Sequence, residues 1–202
     1  MNSSEYHPTE VGLAVKGAEP PLEILEMLKA SGPHTQYRDK MMLFGQFVGD
    51  WDMSIAFFDE EGKKTYDQHG TWAFSWVLDG RAVQDVLVYP NPSRGMSGEA
   101  GERRIGSTMR WYDPNMDAWH VIWMGVVSGD LGVMVAREVD EEIWIEEKEL
   151  DGSLTKWIFT EISQSSFRWK GTVSYDGGKS WKLDQEMFAK RRPSVSLNLP
   201  LH

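Results

Sequence analysis

Arg110 and Tyr112 are the residues whose types and spacing most directly indicate ligand binding. They lie two apart in the segment TMRWYD, which alternates like a β-strand, so that both side chains point to one face. A guanidinium and a phenol at this spacing can hold an anionic head group through two hydrogen bonds. The alternative is an arginine exposed on the outer face of a sheet, where charged side chains are common.

Asp85, His120 and Glu161 are candidates for acid–base catalysis. A histidine beside a carboxylate can transfer a proton near neutral pH, and an apolar pocket raises the pKa of a carboxylic acid so that it can donate one. Their spacing does not bring them together, and an exposed or hydrogen-bonded histidine is the alternative. The sequence therefore leaves open whether the protein is an enzyme.

Metal binding and nucleophilic catalysis lack the residue groupings that they need. The five histidines are spread from His7 to His202 without close pairing, and the chain contains no cysteine, so a structural zinc site is not indicated. The sequence has neither a Gly-x-Ser-x-Gly nucleophile elbow nor a glycine-rich phosphate loop with a lysine. From these residues we predict no metal site and no cofactor.

The segment SYDGGKSW resembles the Asp-box of sialidases and related β-propellers. Ser174, Asp176, Gly178, Ser180 and Trp181 occupy the positions of Ser-x-Asp-x-Gly-x-Ser-Trp. Propeller blades of about 40–50 residues recur at least about four times, and the strand region of about 150 residues has room for about three. Since the box has no second copy, we predict that Asp176 caps a turn and does not touch a substrate.

The composition is that of an acidic, tryptophan-rich chain. Ten tryptophans among 202 residues suit a packed barrel or the wall of an apolar cavity. A net charge of −10 without a basic cluster argues against binding to nucleic acid or anionic membranes. The absence of cysteine is typical of a reducing compartment, and we find no signal peptide and no apolar run of about 20 residues. We expect a soluble, cytoplasmic protein that does not insert into membranes.

The period of the apolar residues changes once along the chain, near Val48. Residues 21–48 show helical spacing. Beyond them, about ten segments alternate between apolar and polar residues and are joined by short turns such as Asp79-Gly80-Arg81, with a longer loop at 90–102. Because short connections favour antiparallel neighbours and closure removes exposed edges, we predict an all-β, about ten-stranded antiparallel up-and-down barrel.

The domain boundaries follow from the same pattern. Residues 1–20 are polar and aperiodic and are predicted to form a tail. Residues 21–190, including the helical segment, are predicted to form one barrel domain, since no long linker divides the strands. Residues 191–202 are predicted to form a C-terminal tail.

The head of the first strand, FVGDWDMS, resembles the calycin superfamily of lipocalins and fatty-acid-binding proteins. The runs GTWAFSWVLDGRAVQDV, GSTMRWYDPNMDAWHV and FRWKGTVSYDGGKSWKL are similar to a group of bacterial lipocalin-like proteins of unassigned function. The resemblance covers roughly residues 44–190 and implies a barrel with an internal cavity. It also implies that Gly49 permits a tight turn into the barrel and that Trp51 plugs its base.

The same resemblance bears on the ligand. Arg110 and Tyr112 are similar in type to the Arg-x-Tyr with which fatty-acid-binding proteins hold a carboxylate, although there it lies on a later strand. Nitrobindin-like barrels of the superfamily bind haem through a histidine. The resemblance therefore leaves haem ligated by His69 or His120 as an alternative to a protein without a cofactor.

Three hypotheses are consistent with these observations. The first is a barrel that binds a small hydrophobic or amphipathic molecule, its wall and anchor being Trp51, Trp72, Trp76, Arg110, Tyr112 and Trp123. The second is an isomerase, cyclase or hydratase that acts on a hydrophobic metabolite in the same barrel. The third is a structural protein, dimeric through an outer aromatic patch, whose filled core would leave no cavity.

Overall fold

Two short helices precede ten β-strands in residues 22–90 and 103–193, the part of the chain that the computed structural model describes. The helices are α1 (Leu22–Leu28) and α2 (Arg38–Gly45). The strands are β1 (Gly49–Phe58), β2 (Lys64–Val77), β3 (Ala82–Pro90), β4 (Arg103–Asp113), β5 (Ala118–Gly125), β6 (Asp130–Val139), β7 (Glu142–Lys148), β8 (Leu154–Thr160), β9 (Ser166–Ser174) and β10 (Lys182–Arg191). The predicted N-terminal tail and most of the predicted C-terminal tail and long loop lie outside the described residues.

The ten strands form one closed barrel. Each strand is antiparallel to its neighbours in the chain, and β1 completes the ring by pairing with β10, where Trp51 lies opposite Arg191. Closure pairs both edges of every strand, which removes the exposed edges of an open sheet. The predicted ten-stranded up-and-down barrel is confirmed.

Alternation along each strand divides the side chains between the lumen and the solvent. On β1, Trp51, Met53 and Ile55 are buried, whereas Asp52 and Ser54 between them are exposed. The same parity continues on the other strands, so that one set of alternate residues faces inward. The lumen contents can therefore be followed from strand to strand.

Aromatic rings fill one end of the barrel, which α2 and the residues after it plug. Phe44 and Phe47 project into this end and are fully buried. The ring of Phe47 has its centroid 4.8 Å from those of both Phe159 and Phe167 and 5.8 Å from that of Phe74. Burial of one such side chain contributes about 1.5–3 kcal/mol, so this end is a main source of stability. We call it the closed half.

Gly49 and Trp51 join the plug to the first strand. Gly49 has φ of 130°, and a Cβ atom there would lie 2.8 Å from Nη1 of Arg191, so both the turn and the contact favour glycine. Trp51 Nε1 donates to the carbonyl of Phe47 at 2.7 Å. Arg191 covers the Trp51 ring, with its guanidinium carbon 4.0 Å from the ring centroid, and donates to the carbonyl of Val48. These contacts seal the base of the barrel.

The opposite end of the barrel is wider and is called the open half. Turns at 59–63, 126–129, 149–153 and 175–181 join strands there. Neither α1 nor α2 is long and apolar enough to cross a membrane.

Candidate functional site

A cavity of about 420 Å³ occupies the open half and opens to solvent. Its volume lies in the range of small-molecule sites, roughly 300–1,000 Å³. Its aromatic lining consists of Phe57, Trp72, Tyr89, Trp123, Trp157 and Trp169. The hypothesis of a completely filled core predicts no cavity, which disagrees with this geometry.

Inward-facing glycines leave room in the open half. Gly106 on β4 lies beside Trp123, and a Cβ atom there would lie 1.9 Å from the Trp123 ring. Gly171 on β9 lies against Trp169 in the same way, at 2.8 Å. The rings therefore lie against the backbone instead of projecting across the lumen. Glycine at inward positions within strands is the sequence signal that could have located this cavity.

Three tryptophans from β5, β8 and β9 form one wall. The rings of Trp123 and Trp157 have centroids 6.0 Å apart at an interplanar angle of 85°, and those of Trp157 and Trp169 are 5.5 Å apart at 59°. Edge and tilted contacts of this kind hold aromatic rings in place. We call Trp123, Trp157 and Trp169 the tryptophan wall.

A buried ion pair between Asp85 and Arg110 separates the cavity from the closed half. Asp85 is 0% exposed and Arg110 is 1% exposed. The backbone N–H of Thr108 donates to Asp85 Oδ1 at 3.1 Å, and the Arg110 guanidinium lies 5.0 Å from the Phe44 ring centroid. Since the two charges compensate each other, this boundary is close to neutral.

Several hydrogen-bond donors at the cavity have no partner among the described residues. Nε1 of Trp72 and Nε of Arg110 are buried and unpartnered, and both residues line the cavity. Nε of Arg104 and Nε2 of Gln185 are in the same state. A buried donor without an acceptor is costly, so these groups indicate where an acceptor atom of a ligand would be favourable.

Four carboxylates line the outer part of the cavity, those of Asp130, Glu147, Glu149 and Asp184. The carboxylate of Glu147 accepts from the Val133 backbone N–H at 3.2 Å, and burial raises the pKa of Glu147. Asp184 is the extra residue of a bulge in β10 and is exposed. Surrounding protein atoms still desolvate its carboxylate, which raises the pKa of Asp184.

The six predicted ligand-binding residues are divided between the two halves. Trp72, Arg110 and Trp123 line the cavity. Trp51 is buried in the base, and Trp76 packs against α2, where a Cβ atom on Gly45 would lie 2.3 Å from its ring. These two tryptophans belong to the plug and not to the cavity wall.

Arg110 and Tyr112 do not form a common anchor. Arg110 pairs with Asp85, whereas Tyr112 lies farther along β4, beyond the cavity, where its hydroxyl donates to Asp117 Oδ1 at 2.6 Å. The ring of Tyr112 packs against Tyr37, 5.5 Å away between centroids. The structure places the two residues of the predicted anchor apart, because a strand step of two residues carries Tyr112 past the ion pair to the plugged end.

The three catalytic candidates lie in separate places. Asp85 is inside the barrel, whereas His120 is on the outer face of β5, its Nε2 3.1 Å from Asp113 Oδ2. Glu161 lies in an exposed turn and accepts from Arg168 Nε at 3.0 Å. The arrangement therefore contains no acid–base group made from these three residues.

The histidines proposed as haem ligands also lie outside the lumen. His69 is exposed on β2, where it pairs with the outward-facing Ser54, and His120 stacks on Trp111 at 5.1 Å between ring centroids. Since neither reaches the cavity, the residues present do not fit a haem held by His69 or His120.

Asp176 holds the last turn of the barrel, as predicted. Its carboxylate accepts from the Ser180 hydroxyl at 2.6 Å, from the Ser180 backbone N–H at 2.9 Å and from the Ser174 hydroxyl at 2.8 Å. These hydrogen bonds, those from Ser180 above all, lower the pKa of Asp176 to about 2. Trp181 then lies on the outer face, with its ring centroid 4.5 Å from Lys156 Nζ. The Asp-box is a turn motif in this protein.

Comparison with solved structures shows a shared fold. The S-type phycobiliprotein lyase CPES from Guillardia theta is similar to this chain over 80% of its length and 99% of the lyase, with a TM-score of 0.54 and 8% identity. A redesigned β-barrel, mFAP1, bound to DFHBI, is similar over 72% of this chain and 95% of its own, with a TM-score of 0.34 and 14% identity. No protein-family model and no curated protein sequence matches the chain. The likeness to the lyase shows that the two chains share a fold.

Proposed function

We propose that this protein binds a small amphipathic molecule reversibly in the cavity of the open half. The observation that carries the proposal is a pair of buried, unpartnered donors, Trp72 Nε1 and Arg110 Nε, at an open cavity with aromatic walls. An apolar site with a few placed polar groups is the usual form of a small-molecule site. We also propose that the chain belongs to the lipocalin-like group that its FVGDWDMS segment resembles.

Aromatic burial would supply most of the binding free energy. Trp123 and Trp157 of the tryptophan wall are partly exposed and offer ring surface to a planar or apolar ligand, whereas Trp72 and Trp169 are almost completely buried. The ligand replaces water against these rings, and that transfer is favourable in proportion to the apolar area buried. Flat ligands therefore fit this lining best.

The unpartnered donors would set the orientation of the ligand. Arg110 already balances the charge of Asp85, so its free Nε–H offers a hydrogen bond without a net charge. A neutral acceptor, such as a carbonyl or hydroxyl oxygen, matches this position better than a carboxylate does. The proposed ligand is thus not a fatty acid held by a free arginine, as an Arg-x-Tyr anchor would require.

Fluorescence titration with Nile red, a neutral planar dye that carries a carbonyl acceptor, tests the proposal. We expect saturable enhancement of the dye emission. Trp72→Phe removes the unpartnered donor and keeps a ring, so we expect the affinity to fall by about three- to tenfold, the value of one hydrogen bond. The melting temperatures of Trp72→Phe and of the control variant Trp144→Phe would verify that both are folded.

Trp144→Phe is the matched control. Trp144 lies outside the lumen, where its Nε1 donates to Glu142 at 2.8 Å, so its replacement should leave the dye affinity unchanged. Failure of the dye to saturate, or an equal loss of affinity in the two variants, would contradict binding in the cavity.

A further inference from the structure

The carboxylates of the cavity lie against its wall and face the lumen. A Cβ atom on the inward-facing Gly132 would lie 3.2 Å from Glu147 Oε2, and one on Gly171 would lie 2.7 Å from Asp184 Oδ1. The two carboxylates therefore occupy space that inward side chains on β6 and β9 would otherwise fill. A side chain at position 171 would displace the Asp184 carboxylate, whereas one at position 132 would require only a small movement of the Glu147 carboxylate.

These two carboxylates have no cation beside them. Neither residue forms an ion pair, since no Lys, Arg or His nitrogen among the described residues lies within 4.0 Å of a Glu147 or Asp184 carboxylate oxygen. Desolvation without a compensating charge destabilises an anion, and burial raises the pKa of both groups. Glu147 is half-buried and Asp184 is exposed, and neither carboxylate is neutralised by a protein cation.

Two cationic side chains, those of Arg104 and Arg110, line the cavity. Arg110 is paired with Asp85, and Arg104 lies next to Tyr89, a residue whose surroundings also include the charge of Asp130. The lining contains four carboxylates, and Arg104 is its only guanidinium that is not paired with Asp85. The four carboxylates are those of Asp130, Glu147, Glu149 and Asp184. The lining of the cavity therefore carries an excess of negative charge, which favours a cationic ligand.

The tryptophan wall adds a second reason for a cation. Trp157 and Trp169 lie on the strands between Glu147 on β7 and Asp184 on β10. Aromatic rings next to carboxylates recognise organic ammonium groups, because ring faces carry negative electrostatic potential. Trp72 and Arg110, at 3% and 1% exposure, each keep a donor without a protein acceptor at this cavity, which is a second observation that favours a ligand there.

We infer that the ligand is an organic cation, a planar or aromatic molecule whose protonated nitrogen lies between Glu147 and Asp184 and against the tryptophan wall. This inference rests on the proposed function and names the chemical class of its ligand. It replaces the carboxylate ligand that Arg110 and Tyr112 suggested.

Calorimetric titration at neutral pH and low salt with three probes of matched shape tests the inference. The probes are 1-naphthylmethylamine, 1-naphthalenemethanol and 1-naphthoic acid, which differ in the charge of the head group. We expect the amine to bind about tenfold more tightly than the alcohol, and the acid more weakly than either. In the Glu147→Gln/Asp184→Asn variant, the amine and the alcohol should bind alike.

The control variant Glu26→Gln/Glu138→Gln removes two exposed carboxylates outside the cavity. It should keep the preference for the amine, which separates local recognition from net charge. If the amine binds no better than the alcohol, or fails to bind while Nile red does, the inference is wrong and the proposed function stands. If neither the probes nor Nile red bind, both are wrong.

Discussion

The two halves of the barrel are built from the same strands with the same alternation of inward and outward residues, but one half is filled and the other contains a cavity. In the closed half, inward positions carry large rings, and Phe44, Phe47 and Phe159 are completely buried against one another. In the open half, inward positions carry glycine and carboxylates as well as rings, and a cavity results. Packing density decides the difference, since a filled lumen stabilises the fold and an incompletely filled one can accept a ligand.

The ion pair of Asp85 and Arg110 lies where the two halves meet. Buried ion pairs contribute little net stability, yet removal of one partner leaves an uncompensated charge. The pair therefore lets polar groups reach the floor of the cavity while the aromatic cluster behind it stays dry. Three predictions test this division of the barrel.

Arg110→Met is one of two substitutions with the largest expected effect. It leaves Asp85 buried without its cation, so we expect the free energy of unfolding to fall by about 3–5 kcal/mol in urea denaturation. The double variant Asp85→Leu/Arg110→Met, which removes both charges, should recover most of that loss. If the single variant loses less than about 1 kcal/mol in the free energy of unfolding, Asp85 does not depend on Arg110 for its charge balance.

Phe159 and Trp157 compare the halves directly, because they lie two residues apart on β8. Phe159→Ala opens a cavity in the closed half and should lower the free energy of unfolding by about 3–5 kcal/mol. Trp157→Ala enlarges an existing cavity and should cost less than half as much, while it weakens Nile red binding more than Phe159→Ala does. Urea denaturation and dye titration of both variants measure this. Equal stability losses would contradict the division.

The smallest effects concern two aspartates of the open half whose pKa values move in opposite directions. The pKa of Asp176 is about 2 against an ordinary 3.8, so its carboxylate stabilises the fold above pH 3.8 and this contribution is lost as pH falls towards 2. The pKa of Asp184 is raised, so its contribution is present below pH 3.8 and is lost as pH rises through the folded value.

Asn substitutions should therefore have opposite signs at neutral pH. Asp176→Asn should lower the melting temperature, with the difference from the parent protein closing towards pH 2. Asp184→Asn should raise it, and that gain should vanish in acid. Thermal melts between pH 2 and 7 measure both. A lower melting temperature for Asp184→Asn at pH 7 would mean that its carboxylate has a stabilising partner.

The order of the strands could be predicted from the sequence. Alternating segments with short turns indicate the antiparallel ladder, and the spacing of Trp51, Met53 and Ile55 places them on one face of a strand. The structure shows that this face is buried. The turn at Asp176 could also be predicted, because all its partners lie within four residues. Each of these features depends on local periodicity or local hydrogen bonds.

The residues that line the cavity could not be predicted from the sequence in the same way. Arg110 and Tyr112 share a parity, but only the position of each along β4 relative to the plug decides that one meets Asp85 and the other meets Asp117. Glu147 and Asp184 are three strands apart in the barrel, and the curvature of the sheet brings both to the lining of one cavity. Local pattern along the chain determined the strands, the turns and which residues share a face. Register, closure and the depth of the helical plug, which depend on contacts distant in sequence, decided which inward residues pack and which face a ligand.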